Sequence, residues 1–292
     1  MLGGYSGYPP YLHSPVYAAS QLNLTYLYAT GPVAPANTTQ DTWTAAALAA
    51  ANQADIILYF GGTDTTIASE DKDRDSIAWP AAQLTLINTL AALSKPLIIT
   101  QLGDQLDDTP LLTNPNISAV LWAGYPGQSG GTAVLNALTG AAPPAGRLPV
   151  TQYPASYTAR LPMTDMALRP DPATGHPGRT YRWLPQSRAV RPFGFGLHYT
   201  TFSARFGVFP SFNLTTASLL AGCTETHRDR CPFPAPVSVW VTNTGPGGAR
   251  DDNGNEQQQH NTSRPTTSRW CLRAARSARG PTRKRRWSGI RG

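Results

Sequence analysis

Three apolar runs that each lead into a polar loop constrain the fold of this chain more than any other feature. Continuous apolar runs, rather than alternating ones, are typical of parallel strands that are buried on both faces of a sheet. The runs and the loops that follow them are residues 55–60 with 61–75, 96–102 with 103–110, and 117–122 with 123–130.

The segments between these runs have the apolar spacing of helices. Residues 42–54 form an alanine-rich helix pattern, residues 80–93 begin with a proline and repeat their leucines at helical spacing, and residues 129–138 follow the third run. Strands that alternate with helices over short connections predict an α/β sandwich, a mostly parallel sheet flanked by helices. All three loops then emerge at one sheet edge, which is where open α/β sheets place their chemistry.

The pattern changes in the second half of the chain. From residue 157 the sequence is irregular and proline-rich, and after Phe202 the segments are short and strand-like. Residues 237–245 alternate Val and Trp with polar residues, which fits a half-buried strand of a β-sandwich. One strand pair is too little for an independent domain, so we expect a truncated β-sandwich segment. The predicted organisation is an α/β domain at 1–200, the start of a β-sandwich at 201–248 and a basic tail at 249–292.

The charge of the chain is concentrated in that tail. The net charge is +7, yet residues 1–248 hold 13 Lys and Arg against 14 Asp and Glu, whereas residues 249–292 hold 11 against 3. The tail lacks apolar periodicity, so its composition predicts disorder. A basic tail can also indicate nucleic-acid binding, but nothing in the body supports that, and no nucleic-acid partner is expected. No apolar run is long enough to span a membrane, so no membrane association is expected either.

Cysteines and glycosylation triplets favour a secreted protein. Cys223 and Cys231 flank a short polar loop, and secretion would allow them to pair, whereas Cys271 lies in the tail. No leader opens the chain, so a signal peptide is expected upstream of Met1 and the chain is expected to be a fragment. The N-glycosylation candidates are Asn23, Asn37, Asn116 and Asn213, with a further triplet at Asn261.

The loop at 61–75 is the main candidate for catalysis. Glu70 follows a buried strand, so its carboxylate is a candidate general acid/base at the expected functional edge. The alternative is that Glu70 and the charged residues after it, 71–74, form a solvated cluster before a helix, which is the commoner role of such runs. On the residues alone, both interpretations stay open.

The remaining polar clusters give no metal or cofactor site. Asp104, Asp107 and Asp108 could ligate Ca²⁺, but they lack the EF-hand spacing, and exposed turn or helix-cap roles are favoured. The loop at 124–131 lacks the Lys-Ser/Thr of a phosphate loop, and we interpret it as one wall of the site. The five histidines are scattered, without zinc spacing. We therefore expect neither a metal nor an organic cofactor.

Ten strings within residues 1–247 carry a family resemblance. In chain order they are MLGGYSGYPPYL (1–12), GGTD (61–64), EDKDR (70–74), IAWPAAQ (77–83), QLGD (101–104), LWAGYPGQSGGTA (121–133), PAGRLPVTQYP (144–154), LPMTDMALRP (161–170), GRTYRW (178–183) and PFGFGLHYTTF (192–202). Together they resemble the fungal β-xylosidases of glycoside hydrolase family 3, and the resemblance covers residues 1–247.

The resemblance implies a three-part enzyme with a (β/α)₈ barrel, an α/β sandwich and a fibronectin type III-like domain. It implies retention of anomeric configuration, with a barrel aspartate as the nucleophile and a glutamate of the α/β sandwich as the acid/base. Relatives often show Glu-Ala-Glu where this chain has Ala68, Ser69 and Glu70, so Glu70 is the predicted acid/base. The fallbacks are Asp71 and Asp64, and the substrate-loop candidates are Thr63, Asp64, Tyr125 and Gln128.

The function implied by the resemblance is that of a secreted exo-1,4-β-xylosidase, which releases xylose from xylo-oligosaccharides in xylan degradation. Its expected partners are this substrate and the barrel, which the chain lacks, so the isolated chain is expected to be inactive. The alternatives are a β-glucosidase or an α-L-arabinofuranosidase of the same family, or a non-catalytic sugar-binding fragment. Residues 249–292 resemble nothing in the family, and we expect them to be an artefact of the gene model.

Overall fold

The computed structural model describes residues 1–33, 35–36, 38–207, 215–221, 223, 238–244 and 286–291. The chain divides into two compact units, one of residues 1–198 with 267–292 and one of residues 199–266. Among the described residues, no helix is both long and apolar enough to cross a membrane.

The first unit alternates helices and strands. Its helices are α1 (Pro15–Gln21), α2 (Thr44–Gln53), α3 (Ala81–Ala91), α4 (Thr109–Leu112), α5 (Gly130–Thr139), α6 (Ala155–Arg160) and α7 (Thr180–Trp183), with 3₁₀ turns at Thr38–Gln40 and Gln186–Arg188. Its first four strands are β1 (Thr25–Thr30), β2 (Ile56–Gly62), β3 (Leu97–Leu102) and β4 (Ile117–Gly124). The predicted alternation is confirmed, with element ends that differ by a few residues.

The sheet of this unit is parallel throughout. Strands β2, β3 and β4 are neighbours, with Gly62 opposite Leu102 and Leu102 opposite Gly124. Because these three residues end their strands in the same direction, the loops that follow leave the sheet at one edge. The sequence predicted this shared edge, and it positions the candidate site.

Side chains alternate between two apolar layers, one on each face of the sheet. Ile57 and Tyr59 of β2 pack in the layer with α2 and α3, whereas Leu58 and Phe60 pack in the layer with α1 and α5. Burial on both faces explains why the strands are continuous apolar runs. Each buried Leu or Ile side chain contributes about 1.5–3 kcal/mol of hydrophobic stabilisation, so this double layer holds the sheet.

One helix of this unit was not predicted from the sequence. Helix α1 lies in a segment for which no helix was predicted, and the Ser14 hydroxyl caps it by accepting the Tyr17 N–H at 3.1 Å.

A fifth strand of the sheet comes from the tail. Of the predicted disordered residues 249–292, the structure describes only β7 (Arg286–Arg291), whose backbone pairs in parallel with β1 on one side and β2 on the other. The sheet order is therefore β1-β7-β2-β3-β4. The physical reason is edge pairing: the facing edges of β1 and β2 offer unpaired backbone groups that a third strand can satisfy.

The second unit contains a small antiparallel sheet. Strand β5 (Phe202–Phe206) pairs with β6 (Val239–Asn243), and a short helix, α8 (Thr216–Leu220), lies between them in the chain. This confirms a strand after Phe202 and, at Val239–Asn243, the strand predicted within 237–245, whereas helix α8 was not predicted.

Candidate active site

Strand β2 ends in a backbone bend that only glycine can make. Gly62 has a φ of 133°, and a Cβ atom at this position would lie 2.1 Å from the Leu102 carbonyl oxygen. The Gln83 side chain clamps the bend, since its Nε2 donates to the Gly62 carbonyl at 3.0 Å and its Oε1 accepts the Gly62 N–H at 2.7 Å. The loop that carries the candidate acid/base therefore begins at a fixed point.

Glu70 lies at the tip of a tight turn in that loop. The backbones of Ser69 and Lys72 bond each other, with N···O distances of 3.3 and 3.0 Å, and Asp71 has a φ of 62°. A positive φ at the third position of a turn is the type II geometry. The turn lifts Glu70 into solvent, where its side chain is exposed and free to meet a substrate.

The loop after β3 bonds to both ends of the loop that carries Glu70. On the strand side, the Thr63 hydroxyl accepts the Asp104 N–H at 2.9 Å. On the helix side, the Asp107 N–H donates to the Ile77 carbonyl at 2.7 Å. Residues 63–77 are thus fastened at both ends to the same neighbouring loop, which limits where the turn can go.

A cavity of about 810 Å³ lies beside the turn. Ser69 and Lys72, which flank Glu70 and Asp71 in the turn, line this cavity, whereas Glu70 itself does not line it and is exposed to solvent. The opposite wall is the N-terminal segment, tied down where the Gly127 N–H donates to the Met1 carbonyl at 3.1 Å. The charged and aromatic side chains that line the cavity are Tyr5, Lys72, Asp73, Arg74, Asp104 and Tyr125.

Tyr125 and Asp104 form the polar floor of this cavity. The Tyr125 hydroxyl donates to Asp104 Oδ2 at 3.4 Å, and the Gly3 backbone packs against the tyrosine ring. Burial raises the pKa of the Tyr125 phenol, and the nearby Asp104 carboxylate raises it further. The phenol therefore stays protonated, as a hydrogen-bond donor with an apolar ring face.

The other predicted site residues are divided among different environments. Asp64 accepts the Thr66 N–H at 2.9 Å and also the Thr66 hydroxyl, and it lines a separate cavity of about 310 Å³ together with Thr63. Gln128 does not line the larger cavity, and its carbonyl accepts the His13 N–H at 2.7 Å. Of the substrate-loop candidates, only Tyr125 is brought to the cavity beside Glu70.

Asp108 was expected in an exposed turn or helix cap; it does occupy the N-cap position of α4, but the expectation of an exposed side chain is wrong. Its side chain is buried and makes no cap bond to α4. Trp79 Nε1 donates to Oδ1 at 3.0 Å and Gln152 Nε2 donates to Oδ2 at 2.5 Å, while burial raises the pKa of this carboxyl to about 7. Both partners are distant in the sequence, so no local pattern pointed to this carboxyl.

Asp107 has the local role that the sequence favoured. Its carboxylate accepts the Thr109 N–H at 2.9 Å and the Ala155 N–H at 2.8 Å. The side chain thus joins the start of α4 to the start of α6. In the described part of the chain, no group of three or more His, Cys, Asp or Glu side chains is placed to hold a metal ion.

Candidate modification sites are only partly described. Asn23 and Asn116 are exposed, while Asn37 and Asn213 lie outside the described residues. Cys223 is disulfide-bonded, but Cys231 also lies outside the described residues. Glycosylation and the Cys223–Cys231 pairing remain predictions.

Comparison with known proteins gives a consistent result. The family described as "Glycosyl hydrolase family 3 C-terminal domain" matches residues 1–199. A probable exo-1,4-beta-xylosidase of Aspergillus clavatus is 51% identical over 249 residues, which are 84% of this chain and 31% of the relative. A probable exo-1,4-beta-xylosidase of Aspergillus fumigatus is 48% identical over 247 residues, with the same coverage.

A solved structure agrees with these relatives. The GH3 exo-beta-xylosidase XlnD, in complex with a xylobiose aziridine activity-based probe, matches with a TM-score of 0.72 at 40% identity, over 83% of this chain and 32% of that one. The chain spans about a third of the length of the relatives that it matches. The resemblance seen in the sequence is confirmed, and the chain belongs to glycoside hydrolase family 3, whose C-terminal domain it contains at residues 1–199.

Proposed function

We propose that this chain supplies the acid/base domain of a retaining exo-1,4-β-xylosidase that releases xylose from xylo-oligosaccharides in xylan degradation. The observation that carries the proposal is the exposed Glu70 at the tip of a fixed turn, beside a cavity at the carboxyl edge of a parallel sheet. The names of the relatives support the substrate class. The boundaries 1–200 and 201–248 for the two domains are part of this proposal.

The chemistry needs two carboxyl groups with different tasks. In the first step one carboxylate attacks the anomeric carbon, while the Glu70 carboxyl donates its proton to the departing glycosidic oxygen. In the second step the Glu70 carboxylate takes a proton from water, whose oxygen then displaces the enzyme carboxylate from the sugar. In retaining enzymes the two groups lie about 5–5.5 Å apart, so the nucleophile must come within that distance of the Glu70 carboxyl group.

That nucleophile is assigned to a (β/α)₈ barrel that the family resemblance implies. The chain contributes one half of the catalytic pair and one wall of the sugar site, where the Tyr125 ring offers an apolar face to a pyranose and its hydroxyl offers a donor. Because one carboxyl group cannot perform both displacements, the isolated chain should show no turnover.

Glu70 is preferred to the two fallback carboxylates on structural grounds. The Asp64 carboxylate already accepts the Thr66 N–H and lines the other cavity. It is therefore poorly placed for proton transfer. Asp71 is also exposed, but its left-handed backbone belongs to the third position of the turn and its side chain is one methylene shorter. Asp71→Asn is therefore the matched control for Glu70→Gln.

The test is a chimera in which this chain replaces the matched part of the XlnD enzyme, whose barrel then completes the site. We expect the chimera to release xylose from xylobiose and to prefer 4-nitrophenyl β-xyloside to the β-glucoside and α-L-arabinofuranoside. Glu70→Gln should lower kcat/KM for xylobiose by about 10²–10⁴-fold, which is the usual contribution of general acid/base catalysis, whereas Asp71→Asn should lower it by less than about 3-fold.

Two outcomes would contradict the proposal. A chimera that folds and binds xylose but cleaves nothing, beside an active parent, would favour a non-catalytic sugar-binding role. A preference for the glucoside or arabinofuranoside would assign a different sugar.

We further propose that the protein is secreted and glycosylated. The disulfide at Cys223 and the exposed Asn23 and Asn116 support this, because structural disulfides persist in oxidising compartments. Expression in a fungal host should give a band that endoglycosidase shifts, and by a smaller amount after Asn116→Gln. An unshifted band would argue against glycosylation.

A further inference from the structure

Arg74 connects the far side of the Glu70 turn to the loop after β3. Its Nη1 donates to the Gln105 carbonyl at 3.2 Å, and its Nε lies 3.7 Å from Asp104 Oδ2. The Arg74 side chain is only 18% exposed, although it follows three exposed residues in the chain. It is therefore a fixed point four residues beyond Glu70.

The loop that receives Arg74 is itself rigid. Gln101 Nε2 donates to the Asp104 carbonyl at 2.9 Å, and the Gly103 N–H donates to the Gly124 carbonyl at 2.8 Å. Trp122 Nε1 donates to the Gly103 carbonyl at 3.0 Å. Bonds from β3 and β4 thus fix the backbone of Gly103 and Asp104, next to the Asp104 carboxylate and the Gln105 carbonyl that Arg74 contacts.

The Asp104 carboxylate connects Arg74 to the cavity. Asp104 Oδ2 contacts Arg74 from one side and accepts the Tyr125 hydroxyl at 3.4 Å from the other. All three side chains line the cavity beside the turn. Displacement of Arg74 would therefore free the turn and also alter the polar floor on which a sugar would lie.

We propose that Arg74 and Asp104 are positioning residues for the acid/base Glu70, an inference that rests on the proposed function. The turn is fastened by Thr63 on one side and by Arg74 on the other, and its tip, Glu70, makes no side-chain bond among those described. A partly exposed ion pair contributes little to stability. The role of the contact is therefore to fix the position of the turn. A misplacement of about 1 Å can cost 10²-fold in rate.

The leaving group of the substrate distinguishes positioning from stability. Xylobiose has a poor leaving group that needs a proton from Glu70, whereas 2,4-dinitrophenyl β-xyloside has a good one that departs without it. A poorly positioned acid therefore slows only the first substrate. A variant that is merely less folded slows both substrates to the same extent.

The experiment measures kcat/KM for both substrates in the chimera described above, with the variants Arg74→Met, Arg74→Lys and Asp104→Asn. For Arg74→Met we expect a loss of about 10- to 100-fold on xylobiose and of less than about 3-fold on the dinitrophenyl xyloside. Arg74→Lys should recover part of the loss, and the isosteric Asp104→Asn should give a smaller loss of the same selectivity. Asp75→Asn removes an exposed charge beside Arg74 and is the matched control, which should match the parent chimera.

Failure of this inference and failure of the proposed function give different results. If Glu70→Gln itself slows both substrates equally, the acid/base assignment fails. If Glu70→Gln is selective for xylobiose but Arg74→Met and Asp104→Asn are not, the positioning inference is overturned. Should Arg74→Met not fold, the selectivity of Asp104→Asn alone decides the matter in the same way.

Discussion

At the scale of single residues, Asp108 shows how burial makes an acidic group sensitive to pH. Burial raises the pKa of this carboxyl from 3.8 to about 7, whereas the hydrogen bonds from Trp79 and Gln152 act in the opposite direction. Neighbouring charges oppose each other, since Asp107 raises the pKa and Arg191 lowers it. The folded protein therefore binds a proton here that the unfolded chain releases near its ordinary pKa.

We predict that Asp108→Asn removes a pH-dependent loss of stability. Because the folded-state pKa is the higher one, the contribution of Asp108 is fully present below about pH 4 and is lost as the pH rises towards 7. From pH 4 to pH 7, the free energy of unfolding of the variant should rise relative to wild type by at least about 1 kcal/mol. Urea unfolding at several pH values measures this, and Asp75→Asn, an exposed carboxylate, serves as the control. Parallel curves for Asp108→Asn and wild type would contradict the account.

Gly62→Ala should destabilise the sheet edge beyond the usual cost of an unfavourable φ. The new Cβ would lie 2.1 Å from the Leu102 carbonyl oxygen, so strand β2 or β3 must move. A strained backbone alone costs about 1–3 kcal/mol, and we expect Gly62→Ala to lose more than that. Gly127→Ala is the matched control, because Gly127 also has a positive φ but has open space around its Cβ position. Equal losses in urea unfolding would show that the close approach of β3 does not matter.

At the scale of elements, a lysine outside helix α2 completes the end of that helix. Lys95 Nζ donates to the carbonyls of Ala51, Asn52 and Ala54 at 2.9, 2.7 and 2.8 Å. The last carbonyls of a helix lack partners within the helix and carry partial negative charge, so an ammonium group is well suited there. This contact fixes the start of β3 against the end of α2.

Lys95→Met should therefore lower the free energy of unfolding by about 1.5–3 kcal/mol, the range for hydrogen bonds that involve a charged group. Methionine keeps most of the apolar stem, so the loss reports the three bonds rather than packing. Lys72→Met, at an exposed position of the Glu70 turn, should change the same quantity by less than about 0.5 kcal/mol in urea unfolding. A loss of less than about 0.5 kcal/mol for Lys95→Met would contradict the capping role.

The sequence predicted those elements whose causes are local. Strands β2, β3 and β4 are apolar because both sheet faces are covered, so a continuous run was enough to find them. Helix α1 was missed because it is short. The residues just before it, His13 and Ser14, pack closely against Gly131, which comes from a distant part of the chain.

The position of the candidate site could be predicted from the sequence, but the contacts that hold its loops could not. The strand ends placed the Glu70 loop, the Asp104 loop and Tyr125 at one edge, and the structure brings them to one cavity. The contacts that hold the turn in place, from Arg74 and Thr63, join residues about 30 to 40 positions apart. The spacing of residues within one segment contains no information about contacts between distant segments. For the same reason, the sequence did not predict that the Asp108 side chain is buried.

At the scale of the whole molecule, the sheet edge provides one wall and one proposed catalytic carboxyl group. The chain spans about a third of its relatives, and retaining hydrolysis needs a second carboxylate on the other side of the sugar. Glu70 and Tyr5 are both exposed to solvent, with Tyr5 82% exposed. Under the proposed function, hydrolysis therefore needs both carboxyl groups, and the assignment of Glu70 as the acid/base is its central claim.

The most direct test of that assignment is chemical rescue of Glu70→Gln in the chimera with XlnD. With 2,4-dinitrophenyl β-xyloside the glycosyl-enzyme should form and accumulate, because water then lacks its general base. Azide needs no base, so it should restore turnover and give β-xylosyl azide, the product with retained configuration. A Glu70→Gln enzyme that azide does not accelerate, or that gives α-xylosyl azide, would contradict the assignment of Glu70 as the acid/base.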